Sequence, residues 1–301
     1  SSFFLSEYLL MKSNSPLSIV FLILLTAIAP TLWGTTYIIT TELLPADRPF
    51  IAAFFRLLPA GLILVALSRH LPKANEWLRI IILSILNFAI FHVLLFVAAY
   101  RLPGGLAAVV GAIQPLMMMF LIWIVDNRKP AHLALVASIF GVFGMAALLL
   151  FPSSTWDLIG IMAATIGAML MTTGVFLARR WRTDMPLLAF TGWQLLIAGL
   201  LLAPLAWLID PPLLTLTTKN ILGYGYLSLF GTTLAYVLWF NVIAKLSPVA
   251  VSSLGLLSPI AAVIIGWLVL GQSITGIALL GLIAVLASVL TVQWALVPKK
   301  V

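Results

Sequence analysis

Residues 93–125 read VLLFVAAYRLPGGLAAVVGAIQPLMMMFLIWIV, and residues 237–269 read VLWFNVIAKLSPVAVSSLGLLSPIAAVIIGWLV. The two stretches align without a gap. They pair Val93 with Val237, Leu94 with Leu238, Phe96 with Phe240, Arg101 with Lys245, Leu102 with Leu246, Gly111 with Gly255, Pro115 with Pro259 and Trp123 with Trp267. Leu and Val coincide cheaply in an apolar chain, whereas Gly, Pro and Trp in one register do not. A second patch agrees, FFRLLPAGLIL at 54–64 lying over GWQLLIAGLLL at 192–202, so that Arg56 corresponds to Gln194. The chain is therefore expected to carry an internal duplication.

Of the 301 residues, 63% are hydrophobic and 8% charged, against roughly 25% charged in a soluble domain. A soluble core of this length has no room for so much apolar surface, so lipid is the expected solvent. Runs of about twenty apolar residues, enough to cross about 30 Å of hydrocarbon, recur near Leu17–Thr40, Phe50–Arg69, Leu78–Tyr100, Gly104–Val125 and Ala131–Phe151. Five more follow near Leu158–Ala178, Pro186–Leu208, Asn220–Ile243, Pro248–Leu270 and Thr275–Ala295. Pro45, Pro72, Pro103, Pro130, Pro152, Pro211, Pro212 and Pro248 punctuate them. The expected fold is an all-α integral membrane protein of ten transmembrane helices in two five-helix repeats, 11–151 and 152–301. Residues 1–10 read as an extraneous leader ahead of a natural start at Met11.

The net charge of +8 does not imply nucleic acid, because the basic residues sit in short loops rather than in a stripe. They orient the chain instead. With the N-terminus in the cytoplasm, inside segments hold Lys12, Arg69, Lys73, Arg79, Arg128, Lys129, Arg179, Arg180, Arg182, Lys245, Lys299 and Lys300, and outside loops hold Arg48, Arg101 and Lys219. Both termini are then inside a cell inner membrane. Trp77, Trp156, Trp181, Trp207 and Trp294 fall near span ends, where an indole prefers the interface. An odd number of spans per repeat turns the second copy upside down, and inverted repeats point to alternating access around a central solute site.

The repeat, read with Leu32-Trp33-Gly34-Thr35-Thr36, Phe55-Arg56-Leu57-Leu58, Trp193-Gln194-Leu195-Leu196 and Gly231 through Phe240 to Pro259 and Trp267, resembles the EamA-type family of the drug/metabolite transporter superfamily. The resemblance covers the chain after Met11 and implies a secondary transporter. Within the superfamily the chain looks most like bacterial amino-acid exporters, the aromatic ones in particular. The small multidrug-resistance branch depends on a membrane-embedded Glu in its first helix. Here Glu42 falls in the loop after span one, and all eight acidic residues lie outside the span cores. A carboxylate proton relay is therefore not expected, and downhill export is.

Arg56 is the one charged side chain well within a span, which marks either a functional site or a snorkelling arginine about two turns from the outer end. His92 lies between Phe88 and Phe96, and its counterpart Tyr236 shares a face with Thr232, Trp239 and Phe240. Such faces could line a chamber for a flat solute, or simply pack. Trp33 and Tyr37 share a face of span one, Trp193 and Gln194 lie near the start of span seven, and Gln114 sits beside Pro115. The substrate-binding candidates are thus Trp33, Tyr37, Arg56, Phe88, His92, Phe96, Gln114, Trp193, Gln194, Tyr236 and Trp239. Pro115 and Pro259, with Gly111 and Gly255, are candidate hinges, or else small faces for close packing. Gly141, Gly144, Gly276 and Gly281 read as packing positions.

The chain has no cysteine, Walker-type loop, HExxH pair, GxSxG elbow or metal-ligand cluster. A non-enzymatic exporter without cofactor or metal is expected, its partners a small molecule such as an aromatic or neutral amino acid and the lipid bilayer, with no obligate protein partner. Export of drugs or lipophilic cations is the rival within transport, and a membrane enzyme the rival outside it.

Overall fold

The structure, a computed structural model, describes residues 16–150, 157–181, 183–243 and 254–295. Residues 1–10, Met11, Lys12, Pro152, Trp156, Arg182, Lys245, Pro248, Lys299 and Lys300 lie outside the described residues. The described residues are all-helical: α1 (Pro16–Gly34), α2 (Thr36–Leu43), α3 (Pro49–Ser68), α4 (Trp77–Ser84), α5 (Phe91–Arg101), α6 (Gly104–Gly111), α7 (Gln114–Asp126), α8 (His132–Leu150), α9 (Leu158–Arg180), α10 (Leu187–Ile209), α11 (Thr218–Ser228), α12 (Ala235–Ile243), α13 (Leu257–Leu270) and α14 (Gly276–Ala295). Six continuous helical stretches among them are long and apolar enough to cross a membrane: 49–68, 77–101, 104–126, 158–180, 187–209 and 218–239.

The distribution of polarity is that of a protein dissolved in lipid. Large apolar side chains such as Phe140 and Phe143 are exposed, while Arg56, Asn87, His92 and Gln194 are buried. Lipid accepts the first without penalty, and the second group needs partners inside the protein. The chain is a multi-pass membrane protein.

Two π-helical turns bend the long helices. Ile85–Ile90 joins α4 to α5, and Leu229–Leu234 joins α11 to α12. They occupy the same place in the register that pairs Val93 with Val237. A π turn spaces its hydrogen bonds one residue wider and frees backbone carbonyls. In the second turn Thr232 and Thr233 donate their hydroxyls to the carbonyls of Leu227 and Ser228, each at 2.9 Å, satisfying part of what is freed.

Breaks recur in register too. The span holding Pro115 is interrupted rather than merely kinked, with α6 ending at Gly111 and α7 starting at Gln114, and α13 starts at Leu257 just ahead of Pro259. A proline has no N–H for the carbonyl four residues back, and its ring crowds that carbonyl. A Cβ built on Gly111 or Gly255 meets nothing within 4 Å, so close packing is not what these glycines provide. Gly141 and Gly144 do pack, against Ser288 and Ala284 of α14. Gly276 does not pack as expected: it has φ +60° and open space around its Cβ, and so serves the turn before α14. Glu42, expected in a loop, lies exposed in the last turn of α2. The first span breaks at Thr35, whose N–H and hydroxyl both reach the Leu32 carbonyl.

The most extensive helix contact joins α3 to α10, with α8 on α14 next. The α3–α10 crossing is made by glycines: a Cβ on Gly61 would meet the backbone of Leu196 (Cα at 2.6 Å), and one on Gly199 the backbone of Leu58 (Cα at 2.7 Å). Gly61 and Gly199 are partners in the register that pairs Arg56 with Gln194. Small residues let helices approach to backbone contact, where dispersion replaces a hydrophobic drive that lipid does not supply.

Loops close the ends. Asp157 caps α9 through the Gly160 N–H at 2.8 Å and pairs with Arg101 at 2.9 Å. These contacts, the Gly160 N–H foremost, hold its carboxyl below the usual carboxylate value. The depressed folded-state value makes the contribution present above the unfolded-state value of 3.8, and lost as pH falls through the folded-state value. Thermal unfolding in detergent followed from pH 6 down to pH 2 should show an acid-sensitive component that Asp157→Asn removes; an unchanged acid profile in that variant would contradict the assignment.

Candidate functional site

Arg56 lies within α3 and is 4% exposed, so its charge must be met by groups of the protein. Its Nε donates to Thr232 Oγ1 at 3.0 Å, Nη1 to Thr36 Oγ1 at 3.2 Å and Nη2 to the Gly231 carbonyl at 3.3 Å. The last acceptor is available because Gly231 sits in the second π turn. The guanidinium lies 6.0 Å from the Phe96 ring centre, and the phenols of Tyr236, Tyr37 and Tyr226 are within electrostatic reach. Snorkelling is not what this side chain does, since it bonds inward to α2 and to the turn before α12.

Gln194, the register partner of Arg56, makes the corresponding junction on the other side. Its Oε1 accepts from Asn87 Nδ2 at 3.1 Å, in the first π turn, and its backbone carbonyl accepts from Ser84 Oγ at 2.5 Å. Asn87 corresponds to Gly231, and Ser84 to Ser228, in the register of the long repeat. Each π turn is thus held by one buried polar side chain of a helix packed across from it, charged for the second turn and neutral for the first.

Around Arg56 the aromatic residues gather. Trp33 packs against Tyr236 and Trp239 with ring centres 5.6 and 5.4 Å apart. Phe88 sits 6.2 Å from Tyr236 and stacks on His92 at 5.8 Å. The His92 Nδ1 lies 3.0 Å from the Phe88 carbonyl. A carbonyl only accepts, so Nδ1 carries the proton and a neutral ring keeps Nε2 as its acceptor. Trp33, Arg56, Phe88, His92, Phe96, Tyr236 and Trp239 therefore form one cluster, with Thr36 and Thr232 as its hydroxyls.

Four expected site residues stand apart from that cluster, Gln194 at its own junction with Asn87 and the three others elsewhere. Trp193 donates from Nε1 to the His70 carbonyl at 2.8 Å and packs edge-on against Trp77 at 5.2 Å, at the end of the helices. Tyr37 packs through its Cβ against Gly104 and lines a small cleft with Gly34, Thr41 and Gln272. Gln114 is half-buried at the break between α6 and α7. Thr36, Asn87 and Thr232 are the polar residues that did not stand out as site candidates in the sequence. Their hydroxyl and amide groups look ordinary until the π turns bring them to Arg56 and Gln194. Among the described residues no group of three His, Cys, Asp or Glu side chains could hold a metal.

The EamA-like transporter family profile matches the chain twice, over residues 17–150 and 158–294. Protein PecM of Dickeya dadantii (strain 3937) is 40% identical over 267 residues, which cover 88% of this chain and 90% of that one. The WAT1-related protein At3g02690, chloroplastic, of Arabidopsis thaliana is 29% identical, over 87% of this chain and 67% of its own. The inner membrane transporter YedA of Escherichia coli (strain K12) is 25% identical over 87% of each chain. A solved crystal structure shares the fold at a TM-score of 0.63 and 19% identity, covering 92% of this chain and 98% of its own. A buried polar centre within apolar helices, a family profile matched twice along the sequence and these relatives lead to one conclusion: the chain belongs to the EamA-like transporter family and is a membrane transporter of small metabolites.

Proposed function

We propose that the chain is a ten-helix secondary transporter of two inverted five-helix halves, exporting small metabolites, aromatic and neutral amino acids foremost, from the cytoplasm by alternating access. The observation that carries this reading is the pair of π turns in one register, each bonded by the polar residue of the helix across from it. Helix contacts exchange in the same way. The packing of α9 on α5 matches that of α1 on α12, α9 on α6 and α7 matches α1 on α13, and α10 on α4 matches α3 on α11. Two halves related in this manner have two pseudo-equivalent arrangements, one open to each side.

Sidedness is supported by the loop contacts. Arg180 pairs with Asp126, and Lys73 with Asp184, within the ends assigned to the cytoplasm. Arg101 with Asp157, and Arg48 with the carbonyls of Pro211 and Pro212, fall at the opposite ends. Each contact joins loops of the same proposed side of an inner membrane, with both termini cytoplasmic.

The test is counterflow in proteoliposomes with labelled phenylalanine, tryptophan, threonine and a lipophilic cation. Wild type should exchange the aromatic solutes saturably. Trp239→Ala and His92→Ala should raise the half-saturation concentration about tenfold, the loss expected when one ring contact worth about 1 kcal/mol disappears with some of its buried area. Exchange of the cation alone would move the protein to the drug-transport branch, and unsaturable flux would make it a channel.

A further inference from the structure

We infer that the cluster around Arg56 selects solutes that carry a carboxylate and a net negative charge, binding an aromatic acid more tightly than the zwitterionic amino acid of the same shape. This rests on the proposed reading that the cluster receives the solute, and it narrows that reading by charge.

Arg56 keeps its proton under all ordinary conditions, so the centre of the protein holds a permanent positive charge. All three of its acceptors are neutral: two threonine hydroxyls and one backbone carbonyl. Among the described residues the acidic side chains lie elsewhere. Glu42 is exposed in the last turn of α2, Asp126 ends α7, Asp157 caps α9, and Asp47, Glu76 and Asp184 are in loops. Asp210 sits beyond the last residue of α10, and its Oδ2 accepts from the Ile51 N–H at 2.7 Å. Ile51 is five residues from Arg56, about 7.5 Å of helical rise, and the two side chains form no ion pair.

A buried charge that meets only neutral dipoles is the costly case, and one opposite charge within hydrogen-bond reach relieves it. Guanidinium offers five N–H donors in a planar fork. Among the described residues three of them are used, one on each nitrogen, and a carboxylate is the acceptor that matches the charge and the planar fork of the group. Phe96, Phe88, Trp33, Tyr236 and Trp239 supply ring faces beside it for the body of the solute.

Among the described residues an α-ammonium finds no carboxylate in this cluster; only neutral acceptors, His92 Nε2 and the hydroxyls of Thr36 and Thr232, are there to meet it, and the like charge of Arg56 opposes it. Gln194 holds the equivalent junction in the other half with no charge, so the preference belongs to one half. Such selection has a consequence for driving force. A monoanion moving outward follows an inside-negative potential, about 50-fold in concentration ratio per 100 mV. Export then needs no coupled ion and no intramembrane carboxylate.

The experiment is calorimetric binding to purified full-length protein in nanodiscs, with empty nanodiscs as the blank. The probes share one ring and chain length: 3-phenylpropionate (anion), phenylalanine (zwitterion) and phenethylamine (cation). Wild type should bind 3-phenylpropionate at least about tenfold more tightly than phenethylamine, with phenylalanine between them. Arg56→Gln should weaken the anion about tenfold or more and erase the order, while Arg56→Lys should keep the order at reduced affinity. Phenylalanine bound as tightly as 3-phenylpropionate, or phenethylamine bound tightest, overturns the charge selection and leaves the aromatic reading standing. Binding of none of the three overturns both. The order among probes is read on wild type alone, so a poorly folding variant does not decide the result.

Discussion

Arg56→Leu is expected to reduce solute exchange in proteoliposomes by at least about 100-fold while the protein still reaches the membrane. The leucine fills part of the volume but leaves the Gly231 carbonyl in its π turn without a donor, and unties α3 from Thr36 and from Thr232. An unmet buried acceptor costs about 1–3 kcal/mol, and hydrogen bonds to a charged group are worth about 1.5–3 kcal/mol each. A factor of 100 corresponds to about 2.7 kcal/mol, within reach of one such loss in the state that must hold the solute. The thermal unfolding midpoint separates causes. A variant that exchanges normally would show Arg56 to be structural filler, and one that merely unfolds earlier at full exchange would place it outside the transport step.

The second large effect is on assembly. Gly61→Leu puts a side chain where the backbone of Leu196 already lies, and Gly199→Leu does the same against Leu58. Backbone cannot rotate aside as a flexible side chain can, so α3 and α10 must separate. Overpacking commonly costs 1–3 kcal/mol, and contact with backbone puts these variants at about 3 kcal/mol or above. At roughly 2–4 °C per kcal/mol in a chain of this order, the unfolding midpoint in detergent should fall by about 6–12 °C in each. The two falls should be similar, because the contacts are pseudo-equivalent. Gly225→Ala, with nothing within 4 Å of the added Cβ, should leave the midpoint unchanged or slightly raised. Midpoints for Gly61→Leu and Gly199→Leu as high as that of Gly225→Ala would refute the glycine-mediated crossing.

Much of this architecture is legible in the sequence, and the reason is the duplication. The register pairing Val93 with Val237 places Pro115 and Pro259 together, and both lie at interruptions of their helices. The same register carries the π turns, which no local pattern announces. A π turn is one residue inserted into helical spacing, and Ile85–Ile90 reads as ordinary apolar helix. Arg56 stood out because charge within a span is costly, whereas its partners did not, because threonine and glycine are common in membrane helices. The placement of Trp193 is not legible in the sequence for a related reason. An indole near a helix start fits a chamber and an interface equally well in sequence, and only the bond to the His70 carbonyl places it at the helix end.

The central claim, two inverted halves alternating around one aromatic cluster, is most directly tested by two-sided labelling. The chain has no native cysteine, so a single introduced thiol gives an unambiguous signal. Phe88→Cys and Trp239→Cys, reconstituted in one orientation, would be treated with a membrane-impermeant maleimide from either side, with and without saturating solute. The account predicts that both positions react from both sides and that the solute slows reaction at each. Reaction from one side only under every condition, or labelling that the solute leaves unchanged, would contradict it.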